Sequence, residues 1–124
     1  MIRHIVFFTA RDQADLGRIV EGLELLGQIP HSEHFEVVRN AKVDQFGNDV
    51  DVIVYAEFAD EAALAAYKAH PIYAEATRRV RPLRELRYAA DFKAREKAGG
   101  RSGKVADFSG SSARPDEDTL RRSA

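Results

Sequence analysis

Residues 2–10 read IRHIVFFTA, a run of β-branched and aromatic side chains that predicts a strand. Side chains alternate across a strand, so Ile2, His4, Val6 and Phe8 share one face and Arg3, Ile5, Phe7 and Thr9 share the other. Both faces are largely apolar. That pattern predicts a central strand covered on both sides.

The elements that could cover it follow in order. Asp12 can cap a helix whose apolar stripe is Leu16, Ile19, Val20, Leu23 and Leu26, with Gly27 and Pro30 marking its end. HFEVVRNAKV (34–43) reads as a second strand, DQFGND (44–49) as turn chemistry and VDVIVYAEF (50–58) as a third strand. Asp60 caps a helix carrying Leu64 and Tyr67. His70-Pro71 interrupts that helix, because the residue before a proline is pushed out of the α region. Pro71 can open a second helical piece, which runs to about Val80 before Pro82. RELRYAADF (84–92) is the last strand.

The order β-α-β-β-α-β predicts an α+β, ferredoxin-like fold: one four-stranded antiparallel sheet with its helices on one face. Val6, Phe8, Val52, Val54, Leu86 and Tyr88 cannot all sit under those helices. An uncovered apolar face is adhesive. A second copy packed sheet against sheet would cover it, so patterning alone predicts a homodimer.

Composition bounds the function. With 124 residues the chain fits one domain, and 44% hydrophobic with 31% charged residues suits a globular protein. The absence of cysteine excludes disulfides and Cys-type zinc or iron–sulfur sites. No apolar run approaches the roughly 20 residues of a membrane helix, and Arg3-His4 leads directly into a strand rather than a signal-peptide pattern. The expected location is cytoplasmic, with no membrane partner. A net charge of −1 gives no global sign of nucleic-acid binding. Residues 1–92 hold 11 Lys/Arg and 15 Asp/Glu, a net of −4, and residues 93–124 hold 8 and 5, a net of +3. The second stretch is polar and rich in Gly and Ser, and it is expected to be a mostly flexible C-terminal tail after a domain spanning 1–92.

MIRHIVFF, YAEFADEAALAAYKAHP and VRPLRELRYAADF together resemble the stress-responsive α/β-barrel (Dabb) family over nearly all of residues 1–92. The resemblance implies a dimeric α+β barrel in which two ferredoxin-like sheets enclose a cavity. One plant branch of that family is a polyketide cyclase that makes olivetolic acid by aldol cyclisation without cofactor or metal. Its acid–base machinery is similar to His4 and to Tyr67 ahead of the His-Pro, while its third group, a histidine, is replaced here by Tyr73. A tyrosine, with a reference pKa of about 10, is a poor general base near neutrality, so that mechanism does not carry over intact. Related dimeric barrels include muconolactone isomerases and small monooxygenases.

His4 and Tyr67 are therefore the candidate catalytic residues, with Val6, Phe8, His70, Tyr73 and Tyr88 as candidate substrate contacts. With Ile5 and Phe7 under the helices, His4 would point into the barrel between the two sheets. His70 could equally bond a free carbonyl at the helix corner, and the tyrosines could be aromatic packing. His31 and His34, three apart in HSEH, lie in a loop without an obvious third ligand, so no metal site is expected. Arg78, Arg79, Arg81, Arg84 and Arg87 could attract a carboxylate or phosphate, or form a solvated helix end in which Glu75 and Glu85 neutralise some of them. The first expectation is a cofactor-independent cyclase, isomerase or lyase, or a binding protein, that takes a small oxygen-containing, partly apolar molecule into the barrel. The alternative is a non-catalytic stress-related dimer acting through its surface or tail, with a barrel filled by its own side chains.

Overall fold

The computed structural model describes residues 1–95. Strand β1 spans Ile2–Ala10, helix α1 Leu16–Glu24, β2 His34–Arg39, β3 Val52–Phe58, α2 Glu61–Ala69, α3 Pro71–Val80 and β4 Arg84–Lys93. Short 3-10 turns, Gln13–Asp15 and Leu25–Gln28, flank α1. The sheet is antiparallel throughout, in the order β2-β3-β1-β4. The chain thus has the ferredoxin-like fold, with β1 central as its apolar faces required. Met1–Lys42 and Asp49–Ala94 form one compact unit. Val43–Asn48 belong to a second unit, where Asp44 Oδ1 accepts the Phe46 N–H at 2.7 Å and Gly47 takes φ 45°. The tail reading, from residue 96 onward, lies outside the described residues.

Local chemistry sets the element ends. Asp12 accepts the Ala14 N–H and caps the 3-10 turn ahead of α1 rather than α1 itself. Asp60 accepts the Ala63 N–H and caps α2. At the corner, His70 is extended (φ −71°, ψ 142°), as a residue before proline must be, and Pro71 opens α3. β2 stops at Arg39, four residues short of the sequence expectation; one further backbone bond, Asn40 N–H to Asp51 O, precedes Lys42, whose φ of 55° is not that of a strand.

The faces of β1 are assigned the other way from the sequence expectation. Ile2, His4, Val6 and Phe8 are buried beneath the helices, whereas Ile5 and Phe7 lie on the open side. The core is built from that buried set with Ile19, Leu23, Leu26, Val52, Val54, Ala56, Phe58, Tyr67, Ala76 and Val80. Helices α1 and α3 approach closely: a Cβ built on Gly22 would lie 2.8 Å from Val80 Cγ2.

The register then fixes what the open face carries. Directly opposed residues of an antiparallel pair share a face, so Phe7 and Tyr88, Ile5 and Ala90, and Arg3 and Phe92 stand together there. Leu86, Tyr88, Phe92 and Val38 are all exposed. The apolar surplus on two faces is thus real, and its partition is Val6, Phe8, Val52 and Val54 inward against Leu86 and Tyr88 outward.

Candidate functional site

A cavity of about 370 Å³ lies between the sheet and the helices of a single chain. The sheet contributes His4, Val6 and Phe8 from β1, Val54 from β3 and Arg84 and Arg87 from β4. Tyr67 and Lys68 come from α2, and Tyr73, Ala76, Thr77 and Val80 from α3, with Arg81 at its end and Leu26 closing the far side. Its volume falls at the low end of the roughly 300–1,000 Å³ usual for small-molecule sites.

Five sequence-derived site residues meet here: His4, Val6, Phe8, Tyr67 and Tyr73. The expected position was wrong in one respect. The cavity is roofed by α2 and α3 on the helix side of one sheet, because β1 turns its His4 face inward, so it is not a hollow between two sheets.

Two candidate contacts fall outside. Tyr88 is 61% exposed on the open face, opposite Phe7, since its register position points away from the helices. His70 does not line the cavity. Its Nδ1 accepts the Ile72 N–H at 3.1 Å and so caps the start of α3, rather than bonding a carbonyl at the end of α2.

His4 is the most constrained group in the site. Only 1% exposed, it packs edge-on to Phe58 and Tyr67, with ring centroids 6.2 and 6.0 Å away. Its Nδ1 bonds Asp91 Oδ1. A carboxylate accepts only, so the neutral imidazole carries its proton on Nδ1 and keeps the lone pair on Nε2. Burial pushes the imidazole below its ordinary pKa, while the hydrogen bond and charge of Asp91 pull the other way. The net result is a neutral, oriented base.

Asp91 is not among the sequence-derived site residues, since the sequence places it only within the last strand, 84–92. The available signal was topological: pairing β1 with β4 in antiparallel register sets Asp91 directly opposite His4.

Tyr67 is 1% exposed, and its hydroxyl has no hydrogen-bond partner among the described residues. Burial raises its pKa, so it stays a protonated donor. Its ring stacks at an angle on Phe58 (4.8 Å) and edge-on to Tyr73 (5.4 Å). Tyr73 OH in turn accepts from Arg87 at 3.4 Å. A neutral base, a buried hydroxyl donor and apolar walls can together move a proton on a carbon next to a carbonyl while holding the carbonyl oxygen.

The remaining clusters resolve differently. Arg78 and Arg79 both bond Glu75, at 2.6 and 2.7 Å, which holds that carboxyl down at about 2. Glu85 forms no ion pair among the described residues. Of the HSEH pair, His31 lies edge-on to His70 and His34 bonds Glu36 at 2.7 Å. Among the described residues no group of three or more His, Asp or Glu is placed to hold a metal ion, and no helix is long and apolar enough to cross a membrane.

Residues 2–94 match the model of the Stress responsive A/B Barrel Domain family. Solved structures share the fold. A Dabb family protein with a ferredoxin-like fold from Mesorhizobium loti is 28% identical, with a TM-score of 0.63 over 77% of this chain and 97% of its own. A dimeric ferredoxin-like protein of unknown function from Jannaschia sp. is 21% identical, with a TM-score of 0.67 over 75% and 98%. The hydroxynitrile lyase of Passiflora edulis is 17% identical, with a TM-score of 0.65 over 78% and 95%. No curated protein matches the chain.

Proposed function

From the premise that the chain belongs to the Stress responsive A/B Barrel Domain family, we propose that it is a homodimer in which each copy carries its own small-molecule site. The ligand is an oxygen-containing, partly apolar molecule. The reaction class is proton transfer next to a carbonyl, as in cyclisation, isomerisation or lyase chemistry. His4 Nε2 takes the proton, Asp91 orients the ring and stabilises the imidazolium, and Tyr67 donates to the oxygen on which charge develops.

One observation carries this reading: the buried hydroxyl of Tyr67, unpartnered among the described residues, shares a cavity with an oriented histidine. A buried hydroxyl without a partner costs about 1–3 kcal/mol, and a ligand oxygen would recover it. The hydroxynitrile lyase among the structural relatives is consistent with acid–base chemistry on this fold, at the level of analogy. The dimeric relatives support the pairing of copies, and the exposed Leu86, Tyr88 and Phe92 favour the open sheet face as the contact. A non-catalytic dimer is the weaker reading, since a cavity of about 370 Å³ stands open beside His4 and Tyr67. The location we assign to the chain is the cytoplasm.

The test is deuterium uptake from D2O into phenylacetone at the carbons next to its carbonyl, followed by proton NMR. The protein should accelerate exchange, and His4→Asn should remove about a hundredfold or more of that acceleration. Equal exchange with the variant, or none above buffer, would sink the mechanism.

A further inference from the structure

The cavity that holds His4 is lined by four cations, Lys68, Arg81, Arg84 and Arg87, and, among the described residues, by no Asp or Glu. Among the described residues none of the four has a carboxylate within ion-pair distance. Their neighbours Arg78 and Arg79 behave differently, because Glu75 neutralises both on the outer side of α3.

A favourable helix-end interaction explains Arg81, which stands at the C-terminus of α3. It does not explain Arg84 and Arg87. Both belong to β4, where the register sets Arg84 opposite Ala10 and Arg87 opposite Phe8, on the helix-covered face. Arg84 is half-buried, and burial together with the charges of Arg87, Arg81 and Arg11 disfavours its cationic form. Arg81 and Arg87 are exposed, and like charges set beside the half-buried Arg84 repel it unless something anionic arrives. Guanidinium groups suit that arrival, since their fixed forks match carboxylate and phosphate oxygens.

We propose that the ligand of this cavity is an organic anion: an apolar body beside Val6, Phe8 and Val54, with a terminal carboxylate or phosphate held by Arg84 and Arg87. Arg87 also donates to Tyr73 OH, so the anion end adjoins the aromatic wall that continues through Tyr67 to His4. One ligand can therefore place its charged end on the arginines and its carbonyl at Tyr67. This inference rests on the reading of the cavity as a ligand site and adds the chemical class that the site selects.

The experiment is isothermal titration of the whole protein with phenylacetate, phenyl phosphate and neutral phenylacetamide. Both anions share the required chemistry, and the tighter of the two identifies the end group. At least one anion should bind about tenfold or more tightly than the amide. Arg84→Gln and Arg87→Gln should each cost that anion about tenfold. Arg78→Gln, which removes the same charge outside the cavity, should leave binding unchanged. The proposal is overturned if the amide binds as well as both anions, if the Arg84 and Arg87 variants bind the anion as the parent does, if Arg78→Gln weakens it equally, or if no anion binds. Failure of the catalytic reading looks different: anion binding persists with its arginine dependence, while His4→Asn leaves deuterium exchange unaltered.

Discussion

His4 and Asp91 stand directly opposite each other on the paired strands β1 and β4, and Nδ1 of one bonds Oδ1 of the other. The sheet register itself therefore aligns the base, with no loop involved. Burial depresses the imidazole pKa and Asp91 partly restores it. Asp91→Asn keeps an acceptor oxygen but deletes the charge, so the His4 pKa should fall further. Each unit lost corresponds to about 1.4 kcal/mol, or up to tenfold in base strength. An NMR pH titration of the His4 ring protons reads the shift, and an unmoved or raised pKa would show that Asp91 does not tune the base.

The same depressed pKa makes a stability prediction. The folded protein binds a proton at His4 less readily than the unfolded chain, whose histidines titrate near 6.5. His4 therefore contributes fully above about pH 6.5, and that contribution is lost as pH falls from there toward its folded pKa. Urea unfolding of the parent between pH 7.5 and pH 5 should show this decline, flattened in His4→Asn. Parallel slopes for the two proteins would contradict it.

Tyr67→Phe separates folding from function. The hydroxyl has no partner among the described residues, so removing it should leave stability unchanged or raise it by about 1 kcal/mol. Ligand affinity and deuterium exchange should fall, since the donor to the carbonyl is gone. A destabilised variant with normal exchange would mean that the hydroxyl serves the fold.

Much of this was legible in the sequence because two periodicities were clean. The double-sided apolar pattern of IRHIVFFTA marked the central strand, and the stripe from Leu16 to Leu26 marked the covering helix. His70-Pro71 announced its own corner, since backbone sterics before proline act locally. What stayed hidden was non-local. When both faces of β1 are apolar, alternation cannot say which goes under the helices, and that ambiguity misplaced the cavity. Asp91 acquires meaning only through the β1–β4 register. The five arginines look like one cluster until α3 turns two of them toward Glu75 and β4 turns two others inward.

The open sheet face yields the last prediction. Ile5, Phe7, Ile53 and Tyr55 are only half-buried there, and Leu86, Tyr88, Phe92 and Val38 are exposed, a patch of the kind that marks an interface. Lysines at its centre should prevent pairing, because two desolvated like charges would face each other across the contact. Sedimentation equilibrium should report a dimer for the parent and a monomer for the Tyr88→Lys, Phe92→Lys double variant. The circular dichroism spectrum should be unchanged, since neither side chain enters the core. His4, Tyr67 and the arginines all line the opposite side of the same sheet and come from one chain. The monomeric variant should therefore still bind ligand within a few-fold of the dimer. A parent that sediments as a monomer would remove the dimer, and a folded monomer that loses all binding would mean that the second copy shapes the cavity.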